Sequence, residues 1–136
     1  MSDELYHEKL VERAQAGRAH GRLDHPDKTA TLDNPLCGDR VTVDLKTANG
    51  KVLEAGHRTR GCLLCEAAAA LIVAQAPGSS TESLAGLADA VRDFLQKGGP
   101  APSGWGAVEE FAPVRAVKSR QDCVLLPFRA LAEALR

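Results

Sequence analysis

The stretch RVTVDLKTANGKVLEAGHRTRGCLLCEAAAALIVAQA, residues Arg40–Ala76, decides the fold. Apolar and polar residues alternate from Arg40 to Lys46, which is typical of a strand with one buried face. Asn49-Gly50 follows, the dipeptide best suited to the positive φ angles of a tight hairpin turn. The pattern therefore predicts a hairpin whose second strand runs from about Lys51 to Thr59.

The second half of the stretch predicts a buried helix. After Gly61 and Cys62, the segment CEAAAALIVAQA contains strong helix formers and stops at Pro77-Gly78, which cannot easily continue a helix. Because this segment is apolar nearly all round, we expect a central helix covered on every side.

Weaker signals flank this core. A first helix is predicted from Asp3 to about Ala16, and the following AGRAHGRLDHPDKTATLDNP has no clear period, so an ordered loop or a mobile arm is expected there. An amphipathic helix capped by Ser80 or Thr81 should follow the central helix and end at Gly98-Gly99-Pro100. AVEEF predicts a short helical turn.

A last helix is predicted from about Val124 to Leu135, with Pro127 tolerated because it falls in the first turn. A small sheet followed by helices indicates an α+β fold and not a repeated βαβ one. At 136 residues, the chain fits one domain, residues 1–136, with a small antiparallel sheet packed against several helices.

The charge balance and the lengths of the apolar runs argue against two classes of function, nucleic-acid binding and membrane spanning. The 17 basic and 18 acidic residues leave no positive field of the kind that nucleic-acid binders carry, and no apolar run approaches the roughly 20 residues of a membrane span. The N-terminal MSDELYHEKL does not have the pattern of a secretion signal, so a cytoplasmic protein is expected. In that compartment, metal binding or thiol chemistry explains the 4 cysteines better than disulfides do.

The cysteines are placed where thiolates are stabilised. Cys62 and Cys65 are predicted at the N-terminus of the alanine-rich helix and Cys123 at that of the last helix, where open N–H groups and the helix dipole favour an anion. Zinc is usually four-coordinate, and Cys37, Asp39, Cys62 and Cys123 would supply three sulfurs and one carboxylate. No local zinc-finger spacing is present, so scattered buried thiols remain the alternative.

The order and context of these residues resemble a known family. NPLCGD, a hairpin, RGC opening an alanine-rich helix, and SRQDC before a terminal helix resemble the iron–sulfur cluster assembly scaffolds IscU and SufU and the N-terminal domain of NifU. The opening ELYHEKLVE and the long segment between Cys62 and Cys123 are similar to the SufU branch in particular.

The resemblance implies both a site and its partners. Cys37, Cys62 and Cys123 correspond to the family's cluster-binding or sulfur-handling cysteines, and Asp39 to the aspartate that joins them. The implied role is a scaffold or carrier, more than an enzyme, that binds iron, a transient [2Fe–2S] cluster or zinc. Sulfur would come from a cysteine desulfurase, and the cluster would pass to apo iron–sulfur proteins or carriers. In a SufU-like role, Cys123 would accept persulfide sulfur as a zinc-dependent sulfurtransferase.

Three positions near the cysteines leave alternatives open. Asp122 stands where the family has histidine or lysine, and it is either an extra metal ligand or the cap of the last helix. Cys65 is either a small buried residue or a partner of Cys62 on the same helix face. Arg120 is either a support for the Cys123 thiolate or persulfide or a solvated side chain.

Two further functions compete with the scaffold. One is a structural zinc protein, and the other a dithiol oxidoreductase using Cys62 and Cys65, although CLLC does not follow the expected βαβ unit. The 4 histidines show no metal-ligand spacing and are predicted at the surface, so a hydrolytic zinc centre is not supported.

Overall fold

The computed structural model describes residues 3–36 and 38–136 and has the predicted α+β architecture. Helices pack on one face of a three-stranded antiparallel sheet. No helix in these two ranges is long and apolar enough to cross a membrane. In chain order the elements are α1 (Asp3–His20), β1 (Lys28–Asn34), β2 (Asp39–Ala48), β3 (Lys51–Arg60), α2 (Leu63–Gln75), α3 (Thr81–Ala85), α4 (Leu87–Lys97), a 3-10 helix (Gly106–Ala116) and α5 (Lys118–Ala134).

The hairpin of β2 and β3 is confirmed. Asn49 and Gly50 have φ angles of 54° and 75°, the left-handed backbone that this turn requires. Alternate residues of β2, Val41, Val43 and Leu45, are fully buried against the helices. The opposite face of the sheet carries polar side chains, as the alternating pattern predicts.

α1 continues past the predicted end at Ala16 to His20, so the interpretation of residues 16–35 as a loop or mobile arm was wrong at its start as well as in its second half. Lys28–Asn34 forms β1, which pairs antiparallel with β2 so that Asn34 lies opposite Asp39. Only Ala30 and Leu32 of this edge strand pack on the core. The apolar alternation is therefore too weak to detect in the sequence. The strand forms because its backbone can hydrogen bond to that of β2.

The alanine-rich helix α2 lies at the centre, as predicted. It contacts α1, α5 and β3, and eight of its residues are buried. Small side chains allow close approach: a Cβ built at Gly17 of α1 would lie 2.4 Å from the Cβ of Ala70. The packing of α1 on α2 thus depends on glycine at position 17.

The segment after α2 differs from the prediction in detail. Ser80 is the cap, since its side chain accepts a hydrogen bond from the Ser83 backbone N–H at 3.0 Å. The predicted single amphipathic helix is divided into α3 and α4 at Gly86. The predicted short helical turn is part of the longer 3-10 helix.

The last helix begins earlier than predicted. α5 starts at Lys118, so Cys123 and Pro127 lie in its interior and not in its first turn. Proline inside a helix costs about 3 kcal/mol or more because it lacks an N–H and its ring crowds the preceding turn. Pro127 and its chain neighbours Leu126 and Phe128 are buried, and the burial of these apolar side chains offsets that cost.

His57 corrects the expectation that every histidine lies at the surface. It is 3% exposed, and its Nδ1 lies 3.0 Å from the Thr59 hydroxyl. Its Nε2 has no hydrogen-bond partner within the described ranges. Burial, followed by the charge of nearby His20, lowers the pKa of His57.

This burial predicts a pH-dependent stability. Because the pKa of His57 is lowered only in the folded chain, the unfolded chain gains the proton more readily below its own pKa of about 6.5. The free energy of unfolding should therefore fall as the pH drops from about 7.5 to 5.5, and His57→Gln should flatten this slope. Denaturant unfolding across this range tests the effect. The exposed His25→Gln should keep the wild-type slope, and an unchanged slope in His57→Gln would contradict the account.

Candidate metal centre

Three side chains from separate segments meet at one end of the sheet. Asp39 begins β2, Cys62 immediately precedes α2, and Cys123 lies within α5. One potential ligand atom from each lies within 4.8 Å of the other two. Residues that are far apart in the chain are thus close enough to share one metal ion.

Asp39 is the buried carboxylate of this group. It is 4% exposed, its Oδ1 accepts a hydrogen bond from the Cys62 backbone N–H at 3.3 Å, and its Oδ2 lies 3.7 Å from Cys62 Sγ. A thiol can donate a hydrogen bond to this oxygen. Once the thiol ionises, however, the two anions repel each other in a poorly solvated site unless a cation lies between them.

Gly61, which directly precedes Cys62, makes room for the Asp39 carboxylate. A Cβ built at this position would lie 2.7 Å from both Cγ and Oδ1 of Asp39. Real Cβ atoms essentially never approach so closely, so any side chain here must displace Asp39. The RGC sequence contains this glycine, but its neighbour across the sheet is visible only in the fold.

Cys62 occupies the predicted position at the start of α2. It is the N-cap residue, and its side chain makes no capping hydrogen bond. The open N–H groups of the first turn and the positive end of α2 thus begin at a residue that can ligate a metal. Cys62 is half-buried whereas Cys123 is only 5% exposed, so Cys62 is the more accessible of these two sulfurs.

The placement of Cys123 at a helix N-terminus was wrong. Because α5 begins at Lys118, the thiol of Cys123 projects from the helix interior and receives no help from the open N–H groups of the first turn. The polar run KSRQD hid this start, since the apolar pattern becomes continuous only from Val124. The fold, not a helix end, brings Cys123 to Asp39.

The same helix start removes one interpretation of Asp122. It cannot cap α5, whose N-cap residue is Val117. Its carboxylate is half exposed and lies 3.9 Å from Arg129, and the described group of metal-ligand atoms does not include it. Arg120 is exposed in the first part of α5, three residues before Cys123.

Cys65 lies in the hydrophobic core with no exposed surface. It is not a member of the described group formed by Asp39, Cys62 and Cys123. This placement favours the interpretation of Cys65 as a small buried residue over that of a second thiol in the site.

Cys37, the first candidate ligand in the sequence, lies outside the described residues. Its neighbours join β1 to β2: Gly38 has a φ of 74°, and its N–H donates to the Asn34 carbonyl at 2.8 Å. Because Asn34 pairs with Asp39, this connection is at the same end of the sheet as the three grouped donors. Leu36 in the same connection is 91% exposed.

The donor set decides which ions suit the site. Thiolates are soft ligands that favour zinc and iron, whereas calcium and magnesium prefer oxygen ligands alone. Two sulfurs and one carboxylate oxygen fit zinc or iron and leave one position of a four-coordinate ion to be filled. The residues present therefore fit a metal of this class.

Comparison with known proteins confirms the family resemblance. Residues 5–102 match the family described as the NifU-like N-terminal domain. The structure is similar to that of a NifU-like N-terminal protein from Brucella abortus, with a TM-score of 0.88 and 33% identity, covering 98% of this chain and 94% of that one.

Two curated relatives span most of the chain. An iron–sulfur cluster assembly scaffold protein IscU from Streptococcus pyogenes is 28% identical over 133 residues, covering 97% of this chain and 83% of the relative. A zinc-dependent sulfurtransferase SufU from Bacillus subtilis is 25% identical over 130 residues, covering 95% and 88%. The SufU branch is thus among the relatives, as the resemblance implied.

The crowding at Gly61 predicts the effect of a single methyl group. Gly61→Ala should displace the Asp39 carboxylate and weaken zinc binding by about tenfold or more, equivalent to about 1.4 kcal/mol. Competition with a chromophoric chelator measures the affinity. Gly86→Ala is the matched control, since a Cβ there meets nothing within 4 Å. Equal zinc affinity in the wild type and Gly61→Ala would show that the position of Asp39 does not matter for the metal.

Proposed function

Because this chain belongs to the NifU-like N-terminal domain family, we propose that it is an iron–sulfur cluster assembly scaffold. In this role residues 1–136 act as one domain that receives iron and sulfur and holds the nascent cluster as cargo. The observation that carries the proposal is the meeting of Asp39, Cys62 and Cys123 within 4.8 Å, from three separate segments. Its relatives named as IscU scaffolds support it.

The proposed ligand set is Cys37, Asp39, Cys62 and Cys123. Three thiolates and a carboxylate suit a transient [2Fe–2S] cluster, and zinc is the alternative occupant. A carboxylate binds iron less tightly than a thiolate in such a soft site, so Asp39 is the ligand best suited to release. A scaffold needs this property because it must pass its cargo on.

Sulfur delivery is proposed to come from a cysteine desulfurase. A thiolate of the site attacks the outer sulfur of the desulfurase persulfide, a new S–S bond forms on this protein, and the desulfurase cysteine leaves as its thiolate. Cys123 is the proposed acceptor, and Arg120, three residues earlier in α5, is proposed to support the anion. Because Cys123 is only 5% exposed, acceptance there requires a local opening of the site.

The second candidate is a zinc-dependent sulfur acceptor. The relative named zinc-dependent sulfurtransferase SufU favours this role. The grouped donors, two sulfurs and one carboxylate, also suit zinc. Here the protein would carry sulfur without building a cluster. In both cases the proposed setting is the cytoplasm, and the proposed recipients are apo iron–sulfur proteins or carriers.

Anaerobic reconstitution tests the scaffold role. Ferrous iron, cysteine, a desulfurase and a thiol reductant, which helps to reduce the persulfide sulfur to sulfide, should produce the visible absorbance of a [2Fe–2S] cluster on the wild type, and transfer to an apo ferredoxin should follow. Cys62→Ser and Cys123→Ser should each reduce cluster yield about tenfold or more, because each removes a soft ligand. Cys65→Ala is the matched control and should retain the wild-type yield, since Cys65 lies in the core. Absence of cluster absorbance on the wild type would exclude the scaffold.

Mass spectrometry of each cysteine separates the two roles. In the acceptor role, the protein stimulates desulfurase turnover and carries an extra sulfur on Cys123 or Cys62 while iron is absent. Arg120→Ala should slow the transfer several-fold without changing zinc affinity. A purely structural zinc site would instead give no persulfide on any cysteine, and Cys123→Ala would unfold the domain.

A further inference from the structure

The outer face of the sheet carries a cluster of arginines that the metal centre does not use. Arg40 of β2 lies directly opposite Arg60 of β3, and the next row across the sheet on this face pairs Thr42 with Arg58. Like charges placed directly opposite each other destabilise a sheet. Asp33 of β1, which lies opposite Arg40, offsets part of this cost, and an anion bound beside Arg60 would offset the rest.

A chain segment closes this face at one side. A Cβ built at Gly56 would lie 2.8 Å from the Gly21 carbonyl oxygen and 2.9 Å from the Leu23 nitrogen, so residues 21–23 cross tightly over β3. This crossing brings Arg22 over the sheet. The result is a concavity of about 290 Å³ lined by Arg22, Thr31, Arg40, Thr42, Arg58 and Arg60.

The Arg22 guanidinium is held in place by the buried carboxylate of Asp44. Its Nε and Nη2 donate to the two oxygens of Asp44 at 2.8 and 2.9 Å, and Asp44 has no exposed surface. The Thr29 hydroxyl and the Leu23 N–H also donate to this carboxylate, at 2.6 and 3.3 Å. A guanidinium anchored in this way is oriented before any ligand arrives.

The charges of the concavity do not balance. Asp44 compensates Arg22, and Asp33 lies 3.4 Å from Arg40 in an exposed pair. Arg58 and Arg60 form no salt bridge within the described ranges. Two positive charges thus face the concavity without a carboxylate.

Two hydroxyls form its floor. Thr31 Oγ1 and Thr42 Oγ1 lie 2.8 Å apart, so one hydroxyl hydrogen bonds the pair together. The hydrogen of the accepting hydroxyl stays available for a ligand above it. Guanidinium forks and a hydroxyl donor form a set of donors suited to an oxyanion.

We propose that this concavity, lined by Arg22, Arg40, Arg58 and Arg60 over the Thr31–Thr42 pair, binds an oxyanion of the phosphate class that carries two or more negative charges. Inorganic phosphate, pyrophosphate and the phosphate chain of a nucleotide share this chemistry. Such a group places several charges within a small volume, whereas each carboxylate of an acidic peptide brings one charge and a bulkier backbone. The small volume of the concavity and the local excess of two positive charges favour the former.

The proposed site is independent of the metal centre. Asp39 lies on the helix-facing side of β2, whereas Arg40 lies on the outer side. The anion site and the scaffold role therefore stand or fall separately.

Titration of the isotope-labelled protein tests the proposal at constant ionic strength. Pyrophosphate should shift the backbone amide signals of Thr42 and Arg58 with saturation, whereas sodium chloride should not. Arg58→Ala and Arg60→Ala should each weaken binding about tenfold, and Arg58→Lys should weaken it less, since lysine keeps the charge but loses the fork. Separate titrations with phosphate and ATP identify which phosphate source binds most tightly.

A matched control and a competing ligand make the test decisive. Arg92→Ala, an exposed arginine of α4 paired with Asp89, should bind pyrophosphate as the wild type does. Unsaturable shifts, or equal binding by the wild type and both alanine variants, would overturn the proposal. Tighter saturable binding of a hexaglutamate peptide than of pyrophosphate would also overturn it, in favour of an acidic protein partner.

Discussion

The close packing of α2 is the constraint on which the rest of the structure depends. This helix contacts α1, α5 and β3, and its run of alanines leaves no space for larger side chains where Gly17 meets Ala70. Burial of eight of its 13 residues against these neighbours fixes the position and direction of the helix. Its N-terminus is thereby held at the end of the sheet, and Cys62 is presented there beside Asp39.

The metal centre brings together potentially anionic side chains whose proximity would be unfavourable without a cation. A carboxylate that is 4% exposed and a sulfur that is 5% exposed lie near a second, more accessible sulfur. Ionised thiols this close to Asp39 cost free energy through lost hydration and mutual repulsion. A bound metal removes both costs, and Gly61 supplies the space that lets the carboxylate come so near.

The two faces of the sheet divide the chemistry of the chain. The helix-facing side provides apolar side chains for the core and, at its end, Asp39. The outer side carries arginines and threonines, and the segment that crosses Gly56 gives this face a concave shape. Because side chains alternate along a strand, neighbouring residues such as Asp39 and Arg40 serve opposite faces.

Local signals were sufficient for the hairpin, the alanine-rich helix and the class of fold. Asn49-Gly50 favours a tight turn through backbone sterics, and the apolar composition of α2 favours burial. Both features can therefore be predicted without knowledge of any distant residue. The edge strand β1 could not be predicted from the sequence, because its stability comes from pairing with β2 and its own apolar alternation is weak. The start of α5 was hidden for a similar reason, since its first three residues are exposed and polar.

The sequence by itself determined the types of ligand: sulfur at positions 37, 62 and 123 and a carboxylate at 39, in an order that resembles one family. Only the tertiary structure decided which of the candidates meet. It brought Asp39, Cys62 and Cys123 within 4.8 Å, placed Cys65 in the core, and left Asp122 half exposed beside Arg129. The physical reason is that residue type is a local property, whereas the distance between side chains on β2, α2 and α5 is set by how those elements pack.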